Sequence, residues 1–85
     1  KYTIKQREQQ MIEMPVGAEI IHLDVQNGIP RIWVVVDPNE EKFEEREFAL
    51  LGTGHSTVWE WVGKESHVGT FLTNPFVFHL FEMKK

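Results

Sequence analysis

The sequence predicts an all-β fold: six to seven short strands in an antiparallel meander or small barrel, with one short helical turn near 57–62. Three observations carry this. Asn27-Gly28 sits between two apolar runs, Ile20 to Gln26 and Ile29 to Val36, and Asn-Gly in that position marks a two-residue hairpin. Apolar residues recur with period two along several segments, as in a strand with one buried face. Pro, Gly, Asn and Asp then punctuate those segments at Pro15 to Gly17, Asp37 to Asn39 and Asn74-Pro75.

Taken in order, Tyr2 to Arg7 reads as a short edge strand and Gln10 to Met14 as a second. Glu19 to Gln26 alternates: Ile21, Leu23 and Val25 face one way, and His22, Asp24 and Gln26 the other. Arg31 to Val36 is apolar on both faces, with Trp33 and Val35 on one and Ile32, Val34 and Val36 on the other. The stretch 37–47 reads as a solvated acidic loop opened by a turn at Asp37 to Glu40. Arg46 to Leu51 resumes a strand, with Phe48 and Leu50 opposite Ala49 and Leu51. Thr57 and Glu60 form a candidate capping box, and Gly63 is placed to stop the helical turn. His67 to Leu72 is a strand in which Gly69 marks a bulge or a close backbone approach. Phe76 to Phe81 is the last strand and is again apolar on both faces. An 85-residue chain has little material for two covering layers, so doubly apolar strands predict association of copies.

Length and charge narrow the function. Eighty-five residues make a single small β domain, 1–85, burying roughly 60–65% of its unfolded surface. The chain has no cysteine, so disulfides and thiolate metal sites are excluded. No apolar run approaches a membrane span, and the polar Lys1 to Gln10 does not resemble a signal peptide. Of thirteen acidic and nine basic residues, six and two lie in 37–47, leaving seven of each elsewhere. A neutral body with one acidic segment is a poor match for a DNA or RNA backbone, though it can hold a small phosphorylated ligand.

The candidate ligand-binding residues are Arg31, Trp33, Gly52, Thr53, Gly54, His55 and Trp59. Gly52 to His55 can turn successive backbone N–H groups inward as an anion-binding nest. Arg31, beside the hairpin tip, offers a guanidinium to a phosphate. Trp33 and Trp59 offer faces to a nucleobase. The Gly-Thr-Gly-His segment matches neither a dinucleotide fingerprint nor a Walker loop. His22, His55, His67 and His79 lack zinc-ligand spacing, so no metal and no cofactor are expected. No Ser or Thr is placed by sequence beside a histidine and an orienting acid, and the chain is not expected to be an enzyme.

Six segments then stand together: Glu13 to Ala18, Val25 to Pro30, Trp33 to Pro38, Leu51 to His55, His67 to Phe71, and Phe76 to Glu82. Over about Met11 to Glu82 they resemble a family of small uncharacterised proteins of tailed bacteriophages and prophages. The Gln-Asn-Gly-x-Pro, Gly-Thr-Gly-His and Phe-His-x-Phe-Glu patterns carry the resemblance. It implies a phage accessory protein acting in the host bacterial cytoplasm. The reading that follows is a homo-oligomeric, non-enzymatic protein that binds and sequesters a small nucleotide-derived host-defence signal. The alternative is an interaction module that inhibits a host protein or serves in phage assembly.

Overall fold

A computed structural model describes residues 1–52, 66–73 and 76–83. Seven strands build it: β1 (Tyr2–Thr3), β2 (Gln9–Pro15), β3 (Glu19–Gln26), β4 (Ile29–Val35), β5 (Phe43–Gly52), β6 (Ser66–Thr73) and β7 (Phe76–Glu82). All pairings are antiparallel, and the strands form two open sheets rather than a closed barrel. The first sheet has the order β1-β4-β3 and the second β2-β5-β7-β6. There is no helix among the described residues, and the helical turn expected near 57–62 lies outside them.

Local chemistry explains the joints. Asn27 and Gly28 both take positive φ, 53° and 78°, as a type I′ turn requires, and β3 and β4 close on it. At the end of β2, Ala18 N–H donates to the Pro15 carbonyl at 3.1 Å while Gly17 sits at φ 83°. Proline one residue before the turn centre and glycine at its positive-φ position make a tight reversal that carries the chain from the second sheet to the first. The predicted turn at Asp37 is also present: Glu40 N–H bonds the Asp37 carbonyl, and Asn39 N–H bonds the Asp37 side chain.

The core lies between the sheets. Ile4, Met14, Ala18, Ile32, Phe48, Leu50, Phe71 and Leu80 are buried there, with Ile12, Ile20, Leu23, Val34, Val68 and Phe78 packed against them. Burying such side chains is worth about 1.5–3 kcal/mol each, which is how a chain of this size offsets its ordering entropy.

The structure corrects four expectations. The first strand stops at Thr3, because Ile4 turns into the core and the Gln10 side-chain amide bonds both Lys5 N–H and Lys5 C=O. The acidic loop is shorter than 37–47, because β5 starts at Phe43 and pairs with the whole of β2. Ladder formation with β2 carries Glu44, Glu45 and Glu47 into a strand despite their charge. Ile21 does not face the core with Leu23 and Val25: the register with β4 slips between Ile20 and His22, so Ile20 packs inward and Ile21 is 60% exposed. Finally, the second apolar face of β5 and β7 is in part covered within one chain, where Ala49, Leu51 and Phe81 form their own buried cluster. Val35 on β4 and Val77 on β7 stay outward and exposed, at 53% and 38%.

Candidate functional site

Two strands of the seven contain a register shift. In β3 the shift falls between Ile20 and His22, and in β6 between His67 and Gly69. A bulge inserts one residue, breaks the alternation and re-aims the side chains that follow. Both bulged strands are sheet edges, and they contact each other across the sandwich. Gly69 allows this approach. A Cβ at that position would stand 2.7 Å from Leu23 Cδ2, closer than side chains tolerate.

Between the bulges lies an open cleft of about 450 Å³, walled by Ile20 to Leu23 on one side and His67 to Thr70 on the other. That is the size of a small-molecule site. Arg46 and Glu82 also line it. Arg46 on β5 donates from Nε and Nη2 to the two carboxylate oxygens of Glu82 on β7, the second at 2.8 Å. Its Nη1 donates to the Ala18 carbonyl, at the head of the first sheet. This fork joins three elements, and its two side chains are only 17% and 15% exposed. The bonds to Glu82 hold the guanidinium pKa above its ordinary range; burial works against that shift, and the charges of Glu82 and Glu44 add to it.

The β6 bulge has a chemical result. In a regular strand His67 and Thr70 would point to opposite faces. With the extra residue between them, both project outward beside β7, His67 opposite Phe81 and Thr70 opposite His79. Thr70 Oγ1 then bridges two imidazoles, 3.1 Å from His67 Nε2 and 2.9 Å from His79 Nδ1. A hydroxyl has one proton and two lone pairs, so the bridge couples the donor state of one ring to that of the other. The rings of His67 and Phe81 meet at 5.3 Å, which seats the pair on the apolar cluster of that face.

The β3 bulge works on the other wall. His22 lies 3.7 Å from the Asp24 carboxylate, with its ring 5.4 Å from Trp33. Lys1 Nζ stands 5.6 Å from the centre of the Trp33 ring. Arg31 Nη1 and Lys1 Nζ both reach Gln26 Oε1 at 3.4 Å. The Arg31 Nε proton is buried and has no acceptor among the described residues. The outward face of the first sheet is therefore a cationic and aromatic strip that runs into the cleft at His22.

Of the predicted residues, Arg31 and Trp33 come together on this strip. Gly52 does not join them. It lies at the end of β5 in the second sheet, against the Phe78 ring, and lines a smaller depression with Gln6, Arg7, Glu8 and Leu50. Thr53, Gly54, His55 and Trp59 lie outside the described residues. The sequence reading did not select His22, Arg46, His67, Thr70 or Glu82. The legible signals were the Ile20-Ile21 doublet and Val68-Gly69, each of which breaks a period of two. Among the described residues, no three His, Asp or Glu side chains are placed to hold a metal.

Searches of curated proteins and of solved structures returned no match. A family description, a domain of unknown function named DUF7352, matches residues 1–85. With its whole length covered, the chain belongs to the DUF7352 family.

Proposed function

We propose that this is a non-enzymatic, self-associating phage accessory protein, working in the host cytoplasm, that binds and sequesters a small nucleotide-derived signal. The double-bulge cleft carries the reading. It has the volume of a small-molecule site, and its walls hold His22 and His67, whose ring N–H groups can donate to an anion. Trp33 and Arg31 stand on the adjoining strip, where a base can stack and a phosphate can meet the outer end of the Arg31 guanidinium. The Thr70 hydroxyl is shared between two rings rather than presented as a lone nucleophile, which favours binding over chemistry.

Calorimetry against cyclic and NAD-derived nucleotides tests this. Saturable heat that is lost in the His67→Ala and Trp33→Ala variants is the expected result. A folded protein that gives no heat with any member overturns it. A second reading, a module that docks on a host protein or a phage assembly partner, is favoured by the exposed apolar side chains Leu72, Phe76 and Val77 on β6 and β7. A stoichiometric host partner captured from lysate, with no nucleotide heat, would select it.

A further inference from the structure

A β-strand at a sheet edge presents unpaired N–H and C=O groups, and proteins blunt such edges with bulges, charges or brevity. Among the described residues, three of the four sheet edges are blunted. β3 and β6 are bulged and turned toward each other, and β1 has only two residues. β2 is different. It runs seven residues in unbroken register with β5, carries one charge, Glu13, and has no lysine or arginine. Among the described residues no strand lies beyond it.

We infer that β2 is the seam along which two copies of this chain join, antiparallel and about a two-fold axis at Ile12, into one continuous sheet. The inference rests on the self-association in the reading above and not on its ligand.

Parity decides which groups are free. Leu50 N–H donates to the Glu8 carbonyl and Val16 N–H to the Lys42 carbonyl. Hydrogen-bonded pairs alternate along an antiparallel ladder, so Glu8, Gln10, Ile12, Met14 and Val16 direct their backbone groups at β5. Gln9, Met11 and Glu13 direct theirs outward, and Pro15 adds a carbonyl with no N–H to lose. A two-fold pairing that joins these outward groups passes through Met11, Ile12 or Glu13. An axis at Glu13 sets two carboxylates directly opposite each other, which destabilises a sheet. An axis at Met11 uses only Gln9 to Glu13. The axis at Ile12 uses all seven residues and places Glu13 opposite Met11 and Gln9 opposite Pro15. On the core side it sets Ile12 against its own copy, flanked by the buried Met14, so the apolar interior continues across the seam. The half-exposed Met11 is covered on the outer face.

Sedimentation and two variants test the seam. The wild-type protein at about ten to a hundred micromolar, a range that brings weak strand pairing into view, is expected to run at twice the 10.0 kDa of one chain. Met11→Pro removes an outward N–H that β5 does not use, and is expected to give a folded protein of single-chain mass. Ile12→Cys introduces the chain's one cysteine, where facing Cα atoms of a non-hydrogen-bonded pair are about 4.5 Å apart, within reach of a disulfide. It is expected to cross-link in air and to separate under thiol. Single-chain mass for the wild type, a dimer that survives Met11→Pro, or cross-linking by Met11→Cys but not Ile12→Cys would each overturn the proposal. The cysteine variants keep it falsifiable if Met11→Pro fails to fold. None of these outcomes depends on nucleotide binding.

Discussion

At one flank of the sandwich, β3 and β6 each carry an extra residue and twist away from regular pairing, and a cleft opens between them. At the opposite edge of the second sheet, β2 stays straight and regular against β5. The bulged flank converts backbone irregularity into side-chain chemistry: His67 and Thr70 reach one face, and Ile21 leaves the core. The flat edge keeps its side chains in strict alternation and leaves backbone groups open. One chain thus shows two ways to end a sheet, with irregularity building a pocket and regularity offering a ladder to another strand.

The largest expected effect breaks the bulged flank at its floor. Arg46→Ala leaves the Glu82 carboxylate mostly buried without its fork and frees the Ala18 carbonyl. After allowing for residual exposure, unfolding stability should fall by about 2–3 kcal/mol, read by denaturant titration. The pH sign follows from the raised Arg46 pKa. Its contribution is fully present below the ordinary guanidinium range and is lost only as pH climbs through the raised value, in strong alkali. The difference between wild type and Arg46→Ala should therefore stay constant from neutrality into mild alkali as far as Arg46 is concerned.

Next comes Gly69→Val. Its Cβ meets Leu23, whose terminal methyl can shift only by disturbing the core, and a cost of about 2 kcal/mol is expected. Thr70→Val keeps the shape but removes the hydroxyl between the two imidazoles. About 1 kcal/mol should be lost, with the ring resonances of His67 and His79 both moving in NMR spectra. Movement of one ring alone would break the bridge described for the bulge. The smallest effect on protomer stability belongs to the flat edge. Met11→Pro should change thermal unfolding of a dilute sample by no more than about 0.5 kcal/mol, since an edge N–H facing solvent stabilises little.

Much of this fold was legible because alternation is a strong signal. The strand Glu19 to Gln26, the positive-φ pair Asn27-Gly28 and the inward row Phe48, Leu50 and Leu80 follow from period two and turn chemistry. The bulges were harder to see. Ile20 and Ile21 are equally apolar, so only the pairing with Val34 and Trp33 decides which turns inward. The charged start of β5 looks like loop because six acids in eleven residues suggest a solvated segment, whereas β2 supplies a ladder that composition does not show. The site was legible only in part. Arg31 and Trp33 share a strand face and could be chosen together. Arg46 and Glu82 lie far apart in the chain and meet only because β7 pairs with β5.

The order of the second sheet has a kinetic consequence. β7, seventh in the chain, is an interior strand that separates β5 from β6. The hairpin of β3 and β4 can form from a local segment, whereas Gln9 pairs with Ala49, far along the chain. Non-local pairings of this kind belong to folding times of milliseconds to seconds. A nascent chain that has not yet released β7 cannot assemble its larger sheet, so maturation of the cleft waits for the final strand to arrive.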